Sequence, residues 1–263
     1  MRLRNIGDYK NGVTLLLRES LEVPPQPRQS QVDSRAPSPV PQPAPPPGEE
    51  EKKICVTNPK GFVRERVGDV LFEYNANSFF QNNNSVLVPL TSYVRDALFA
   101  YEQKPTHLVD AYCGSGLFAL TLEPHFEYVR GIELSAESIQ AAQISAKLNG
   151  IPSTKVAFME GDAANIFDNV TYFPRAVTAL IIDPPRKGTD ERFIDQLVSF
   201  GCTYVAYVSC NVHTQARDVG MILRKSAAQM NGKKYVLESV RGFDLFPQTA
   251  HVESVAVLKL VDA

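Results

Sequence analysis

The sequence predicts an α/β protein with a mostly parallel sheet of seven strands that ends in an antiparallel hairpin. Two observations support this fold class. From residue 107 onward, runs of β-branched and aromatic residues alternate with helical patterns, which is typical of a parallel sheet with helices on both faces. The last two expected strands are joined only by residues 242–249, a connection too short for a crossover helix, so they should pair antiparallel at one edge.

The individual elements follow from the spacing of apolar residues and from the turn residues between them. Before residue 107 we expect strands at 12–18, 54–57 and 69–74 and a helix at 85–101. The strand at 54–57 should pair with residues 13–18, and Pro89 falls in the first turn of its helix, where proline is tolerated. The later strands are expected at 107–111, 127–132, 155–159, 176–182, 203–209, 234–243 and 251–260, and the later helices at 116–123, 135–149, 189–200 and 212–229.

Residues 23–50 interrupt the N-terminal part with a segment rich in Pro, Ser and Gln. The segment has few large apolar side chains and cannot offset the entropy of ordering, so we interpret it as a disordered insertion. A proline-rich ligand for an SH3-like partner is an alternative. The predicted organisation is a small, partial β-rich region on both sides of the insertion, followed by a catalytic domain, with bounds 1–22, 23–50, 51–84 and 85–263.

The composition narrows the class of protein. With 263 residues and 44% hydrophobic side chains, the chain can bury one large core. The formal net charge is −2, so a nucleic-acid partner requires a local basic patch. The chain has neither an apolar run of membrane-spanning length nor an apolar signal-peptide core at its N-terminus. Its four cysteines are widely spaced without a CxxC motif, which argues against disulfides and metal. We expect an intracellular, reduced, monomeric protein that does not bind membranes.

The turn from Asp110 to Gly116, DAYCGSG, indicates a binding site for S-adenosylmethionine. Its small residues let the backbone approach a ligand, and the following helix offers free N–H groups. Ala119 stands where the dinucleotide fingerprint requires its third glycine. S-Adenosylmethionine lacks phosphate but has a cationic amino-acid head, which Asp110 could bind directly or through water.

Two further acids follow the next two expected strands. Glu133 comes about twenty residues after the glycine turn, where an acid commonly binds ribose hydroxyls. Asp162 follows the third strand and is placed to meet the adenine amino group, although it could equally cap a helix. Three acids at three successive strand ends favour the S-adenosylmethionine site more strongly than the glycine turn does alone.

Cys210 follows the buried strand at 204–209 and precedes a helix that Asn211 is expected to cap. This corner faces the crevice in which α/β sheets place their ligands. A nearby helix N-terminus should stabilise the thiolate form of the cysteine. The other cysteines, Cys55, Cys113 and Cys202, are interpreted as small buried hydrophobic residues.

A reactive cysteine together with an acid suits methylation of uracil at C5. Addition of a thiolate at C6 makes C5 nucleophilic, and a base must afterwards remove the C5 proton so that the cysteine can be eliminated. Glu253 is the expected base, with His251 as the second choice. Asp183, followed by two prolines, allows a rival: a methyltransferase acting on an adenine or guanine amino group. In such enzymes an aromatic residue follows the prolines, and here Arg186 takes that position.

The motifs FFQNN, DAYCGSG, GIELS, IDPPRKG, VSCN and FDLFPQTAHVE, taken together, resemble the RNA uracil-C5 methyltransferases, above all the tRNA (uracil-5-)-methyltransferases and their fungal forms. The resemblance covers residue 70 to the C-terminus. It implies a Rossmann-like class I methyltransferase fold that uses S-adenosylmethionine. Some relatives hold an iron–sulfur cluster on N-terminal cysteines; this sequence has no such group of cysteines, so we expect neither a metal nor an iron–sulfur cluster. The resemblance implies Cys210 as nucleophile, Glu253 as proton acceptor and Phe79 as an aromatic near the flipped uracil. The implied cofactor contacts are Gln81, Tyr112, Glu133 and Asp183.

The chain departs from this family at its N-terminal side. Family members carry an RNA-binding β-barrel ahead of a central domain, and we expect this chain to begin inside the central domain. A weakly active or inactive RNA- or cofactor-binding remnant is therefore an alternative to an active tRNA enzyme, as is an enzyme for 23S-type rRNA. The cations that could meet RNA phosphates are Arg186, Lys187, Arg192, Arg217 and Arg241.

Overall fold

A computed structural model of the chain describes residues 18–22, 52–161, 167 and 170–263. The strands are β1 (Arg18–Leu21), β2 (Lys53–Val56), β3 (Phe62–Val67), β4 (Val70–Asn75), β5 (His107–Ala111), β6 (Tyr128–Glu133), β7 (Val156–Glu160), β8 (Thr178–Ile182), β9 (Tyr204–Ser209), β10 (Lys233–Phe243) and β11 (Glu253–Asp262). The helices are α1 (Asn84–Leu98), α2 (Leu117–Leu122), α3 (Ala136–Leu148), α4 (Glu191–Phe200) and α5 (Val212–Gln229). None of these helices is long and apolar enough to span a bilayer.

The central sheet has seven strands in the order β10-β11-β9-β8-β5-β6-β7. The five consecutive strands from β9 to β7 in this order pair in parallel, while β11 pairs antiparallel with both β9 and β10. The predicted α/β fold with a C-terminal antiparallel hairpin at one edge is therefore confirmed. The expected strand at 176–182 begins only at Thr178, because Arg175–Val177 form a short 3₁₀ turn after Pro174.

Each face of the sheet packs against its own set of helices. Side chains of α1, α2 and α3 form one apolar layer, and those of α4 and α5 form the other. Alternate residues of a strand enter different layers, as Ala206 and Val208 do on one side and Val205 and Tyr207 on the other. Because both faces are covered, the strands are continuous apolar runs in the sequence, which made them easy to recognise.

The short N-terminal strands form two antiparallel pairs, β1 with β2 and β3 with β4. The β3–β4 hairpin docks on α3: Asn149 exchanges two hydrogen bonds with the backbone of Leu71 (2.9 and 2.7 Å), and the backbone N–H of Glu73 donates to Ser145 Oγ (3.0 Å). Apolar side chains of both strands, Val63 and Phe72 among them, join the layer of α1 to α3.

Several expectations for this region can be compared with the structure. Strand β3 was not predicted, because charged residues such as Arg64, which pairs with Glu73 at 2.7 Å, dilute its apolar pattern. Cys55 is exposed rather than buried; it lies on the two-stranded β1–β2 sheet and belongs to neither apolar layer of the described residues. Most of the expected strand at 12–18 and the insertion at 23–50 lie outside the described residues, and the domain bounds remain a prediction.

Replacing Gly131 with alanine is expected to destabilise the fold by about 1–3 kcal/mol. Gly131 lies opposite Phe158 in the β6–β7 pair, and a Cβ at this glycine would be 2.5 Å from Phe158 Cδ1 and 3.0 Å from Cys113 Sγ. Both neighbours are buried, so neither can move away cheaply. Denaturant unfolding measures the change, and unaltered stability of the variant would contradict this account of the packing.

Gly220→Ala is the matched control for Gly131→Ala. Gly220 lies inside α5, and a Cβ there would meet only the exposed Arg224 side chain, at 3.2 Å from Nη1. Because Arg224 can move and alanine favours helix, this variant should gain up to about 1 kcal/mol in the free energy of unfolding.

Candidate active site

A cavity of about 1020 Å³ opens where β5, β6, β8 and β9 end and β11 begins. This is the carboxyl edge of the parallel strands, where α/β proteins bind their ligands. The cavity is lined by the seven residues for which the family resemblance implied a catalytic or binding role: Phe79, Gln81, Tyr112, Glu133, Asp183, Cys210 and Glu253.

The glycine turn after β5 forms one wall of this cavity. Tyr112, Gly114 and Gly116 all have positive φ angles, of 61°, 52° and 88°. A Cβ at Gly116 would lie 3.1 Å from Phe158 Cζ and 3.2 Å from Ala142 Cβ, so glycine is required here for close packing as well as for its φ angle. The turn is thereby held close to α3 with its backbone toward the cavity.

Glu133 connects the glycine turn to the start of α3. Its Oε2 accepts a hydrogen bond from the backbone N–H of Gly114 (3.3 Å), and its Oε1 accepts one from the backbone N–H of Ser135 (2.9 Å). These two bonds hold the carboxylate at the end of β6, beside the cavity. The position agrees with the expected role toward a ribose, although the role itself remains a prediction.

Asp110 lies in a different place from the one expected. Its side chain is fully buried and does not line the cavity, and its Oδ2 accepts a hydrogen bond from the backbone N–H of Ala119 (2.9 Å). Residue 110 lies on the same face of β5 as Leu108, so its carboxylate lies beneath α2. Burial, opposed by the Ala119 bond and reinforced by Glu133, raises the pKa of Asp110 to about 7. Asp110 thus braces α2, and direct contact with a ligand in the cavity is not supported.

Cys210 and Glu253 face each other across two neighbouring strands. In the antiparallel β9–β11 pair, Ser209 lies opposite Ser254, so Cys210, which follows Ser209, comes opposite Glu253, which precedes Ser254. Asn211 caps α5 as expected, with its Oδ1 accepting from the backbone N–H groups of His213 (3.1 Å) and Thr214 (3.5 Å). The predicted strand–corner–helix geometry of Cys210 is therefore confirmed.

The thiol of Cys210 is not the preformed thiolate that the sequence suggested. Burial raises its pKa, and the neighbouring Glu253 and Asp183 carboxyl groups raise it further. The Arg186 side chain opposes them with a hydrogen bond and its positive charge. The two acids and the partial burial together outweigh Arg186, so the expectation of a low pKa, based on the helix N-terminus alone, was wrong.

Glu253 is an unusual carboxyl group because it is buried without a hydrogen-bond partner. Its side chain lines the cavity, the residue is 1% exposed, and neither Oε1 nor Oε2 has a partner among the described residues. Burial raises the pKa of Glu253 to about 7. A carboxyl group in this state exchanges a proton near neutral pH, as a general base must.

Asp183 follows β8 at the same edge of the sheet. Burial, together with the nearby Glu253 and Asp110, raises its pKa well above the usual range of an aspartic acid. Like charges this close oppose simultaneous ionisation, so Asp183 and Glu253 titrate as a coupled pair.

The segment between β4 and α1 supplies the remaining wall of the cavity. Phe80 is buried and stacks on Tyr74 with a centroid separation of 4.5 Å, and this anchors the segment. Its two neighbours are left to face the cavity: Phe79 is 73% exposed, and Gln81 Oε1 is buried without a partner among the described residues.

Two cavity residues had no role assigned from the sequence. Ser115 Oγ lines the cavity, is buried and lacks a hydrogen-bond partner in the described part of the chain. Arg186, expected only to meet phosphate, contacts the Cys210 thiol. The position of Ser115 inside the glycine turn could have indicated a role in ligand binding. The position of Arg186 near Cys210 depends on the path of the loop after β8, which the local sequence does not reveal.

Other candidates are less well placed. Asp162 lies outside the described residues. His251 is exposed, packs edge-on against Phe246 and does not line the cavity, so the geometry favours Glu253 as the base. Among the expected phosphate contacts, Arg217 is engaged with Asp218 (2.7 Å) and Arg241 lies over the rings of Tyr93 and Phe243.

Comparisons with known proteins agree with this geometry. The family model described as tRNA (Uracil-5-)-methyltransferase matches residues 49–261. The tRNA (uracil(54)-C(5))-methyltransferase of Saccharomyces cerevisiae is 42% identical over 267 residues, covering 97% of this chain and 41% of the relative. The protein of the same name from Schizosaccharomyces pombe is 45% identical over 218 residues, covering 81% of this chain and 40% of the relative. The chain thus spans about two fifths of the length of these curated relatives.

A solved structure is similar as well. The tRNA (uracil-54, C5)-methyltransferase of Pyrococcus abyssi, in complex with S-adenosyl-L-homocysteine, superposes with a TM-score of 0.60 at 28% sequence identity. The match covers 78% of this chain and 45% of the archaeal one.

Proposed function

The chain belongs to the tRNA (uracil-5-)-methyltransferase family, and on that premise we propose that it transfers a methyl group from S-adenosylmethionine to C5 of a uracil in RNA. The T-loop uridine of tRNA is the proposed target, since both yeast relatives are named for uracil 54 of tRNA. The observation that carries the proposal is the placement of Cys210 opposite the unpartnered, buried carboxyl group of Glu253 in one cavity.

The cavity residues fit S-adenosylmethionine. Gln81 Oε1 and Ser115 Oγ are buried polar atoms that lack partners among the described residues, and an ammonium or hydroxyl group of the donor would satisfy them. Glu133 would hold the ribose, and Tyr112 and Asp183 complete the proposed donor contacts. When bound, the donor supplies an electrophilic methyl group. The volume, about 1020 Å³, is at the upper end for one small ligand, so it has room for a base as well.

The chain's own residues carry the remaining steps, with solvent taking the thiol proton. Cys210 first loses its proton to water, the resulting thiolate adds to C6 of the uracil, and the electrons of the C5–C6 double bond make C5 the nucleophile that takes the methyl group. Glu253 then removes the C5 proton, the C6–S bond breaks, and the double bond and the thiolate are restored. Arg186 stabilises the thiolate at the start and at the end of this sequence.

Phe79 is proposed to receive the uracil once it leaves its stack in the RNA. Extrusion of a base costs a few kcal/mol, and stacking on an aromatic side chain contributes about 1–3 kcal/mol. The exposed ring of Phe79 borders the same cavity as Cys210, so it can offset part of that cost.

Replacing Glu133 with glutamine is expected to weaken S-adenosylmethionine binding about tenfold or more. An amide retains one acceptor oxygen and loses the charge, so at least one charge-assisted hydrogen bond to the ribose is lost. Isothermal titration calorimetry measures the dissociation constant. Glu160→Gln is the matched control, because Glu160 lies opposite Glu133 on β7 without lining the cavity. Equal affinity of the Glu133 and Glu160 variants would remove Glu133 from the donor site.

A tritium-release assay tests the reaction itself. RNA transcripts labelled with tritium at uridine C5 should lose tritium in step with methyl incorporation, because methylation replaces the C5 hydrogen. Methyl incorporation without tritium release would instead indicate the rival reaction at a base amino group. Parallel tRNA and 23S rRNA transcripts distinguish the two substrates. Absence of both signals with every transcript would favour a binding remnant.

A further inference from the structure

The loop between β8 and α4, residues 183–190, is held along its length by one face of α5. Asn211 Nδ2 and Thr214 Oγ1 both donate to the carbonyl oxygen of Arg186, each at 3.1 Å. One turn further along α5, Arg217 Nη2 donates to the carbonyl oxygens of Lys187 (2.9 Å) and Thr189 (3.3 Å). Three residues of the loop therefore have backbone carbonyls bonded to the same helix face.

Asp218 is the centre of this attachment. The side chain is fully buried, and its Oδ2 accepts three hydrogen bonds: from Thr189 N (2.8 Å), Thr189 Oγ1 (3.1 Å) and Tyr207 Oη (2.7 Å). Its Oδ1 accepts a fourth from Arg217 Nε (2.8 Å). Gly188 has a φ of 77°, and a Cβ there would overlap Asp218 Oδ2 and lie 2.7 Å from Arg217 Nη2. Loop and carboxylate are thus in direct contact, with no room for a side chain between them.

The same loop carries two of the groups that act on the cavity. Asp183 begins it, and Arg186 lies in its middle, against the Cys210 thiol. The charged or titratable groups that face this thiol are Arg186, Asp183 and Glu253. Of these, only Arg186 favours the thiolate, so a small displacement of the loop removes the one group that counteracts the two acids.

We propose that Asp218 is a positioning residue, which holds Gly188 and Thr189 against α5 and thereby keeps the Arg186 guanidinium at the cavity wall that it shares with Cys210. The consequence for methyl transfer rests on the proposed function, whereas the consequence for the thiol does not. Asp218 acts through the loop and does not itself line the cavity.

The pH dependence of Cys210 alkylation tests the proposal. The full-length chain is treated with iodoacetamide over a range of pH, and modification of the Cys210 peptide is followed by mass spectrometry, which separates it from the exposed Cys55. In Asp218→Asn the midpoint should move to higher pH by about half a unit or more, because the thiolate loses Arg186. The kcat for tRNA methylation should fall about tenfold, with the KM for the donor changed less than about threefold.

Three further variants keep the test decisive. Thr189→Val removes one donor to Asp218 and should shift the midpoint in the same direction, while Thr189→Ser should restore it; this pair serves if Asp218→Asn fails to fold. Asp195→Asn, on the exposed face of α4 where Asp195 pairs with Lys225, is the matched control and should change neither midpoint nor kcat. An unchanged midpoint in folded Asp218→Asn and Thr189→Val would overturn the proposal. A shifted midpoint in an enzyme that methylates no uracil would refute the proposed function and leave the positioning role standing.

Discussion

Cys210→Ala is expected to abolish uracil methylation and covalent capture of RNA together. Without the sulfur, nothing adds to C6, and C5 remains too weak a nucleophile to take the methyl group. Loss of a covalent nucleophile lowers kcat by several orders of magnitude, about 10⁴-fold or more. No other cysteine can substitute, since Cys210 is the cysteine placed opposite Glu253, and Cys113, the other cysteine that lines the cavity, is a buried residue of the glycine turn.

Covalent capture with 5-fluorouridine in tRNA measures this directly. After methyl transfer the enzyme would have to remove fluorine instead of a proton from C5, so the cysteine cannot be eliminated and the protein–RNA adduct persists on a denaturing gel. Cys55→Ala is the control and should form the adduct as the natural chain does, since Cys55 is exposed on β2 and away from the cavity. An adduct in the Cys210→Ala variant would assign the nucleophile to another residue. Methylation that persists without an adduct would favour amino-group chemistry.

Much of this site could be predicted because it depends on short-range order in the sequence. The inner strands β5, β8 and β9 are buried on both faces, so they stand out as apolar runs, and the residue after a parallel strand is at the ligand edge. Cys210 and Glu133 were placed correctly for this reason. The hairpin itself was predicted, but the pairing of β11 with β9, which brings Glu253 opposite Cys210, is visible only in the structure.

Other features depend on contacts between distant residues, and local patterns do not encode these. The direction in which Asp110 points is decided by the face of β5 that α2 covers. The pKa of the Cys210 thiol is raised by burial, by Glu253 on β11 and by Asp183 in the loop after β8, and the helix N-terminus next to Cys210 in sequence does not outweigh them. The network around Asp218 joins three elements, and the sequence alone gave no reason to single out that residue.

Glu253→Gln is expected to trap the reaction after methyl transfer. Cys210 can still add to C6, and C5 can still take the methyl group, but no base remains to remove the C5 proton. The cysteine therefore cannot leave, and a methylated protein–RNA adduct should accumulate with ordinary uridine RNA, while turnover falls about 10³-fold or more. The mass of the adduct shows both that the protein is bound covalently to the RNA and that the methyl group has been transferred. A variant that turns over normally, or an adduct that lacks the methyl group, would contradict the assignment of Glu253 as proton acceptor.

The same substitution should change stability in a pH-dependent way, because Glu253 is buried and its carboxyl oxygens have no hydrogen-bond partner among the described residues. The pKa of Glu253 is raised to about 7, so between its ordinary pKa and this value the folded chain keeps a proton that the unfolded chain has lost. Stability from this group is therefore present at low pH and is lost as the pH rises through about 7, by roughly 3 kcal/mol. Glu253→Gln removes this loss of stability with rising pH, because glutamine does not titrate. The free energy of unfolding of the variant, relative to the natural chain, should increase by about that amount between pH 4 and pH 8.

Methylation by the natural chain should rise over the upper part of the same range, as the base loses its proton. A stability difference that does not vary with pH would mean that Glu253 is solvated or hydrogen-bonded in solution, and its assignment as a base poised near neutrality would then fail.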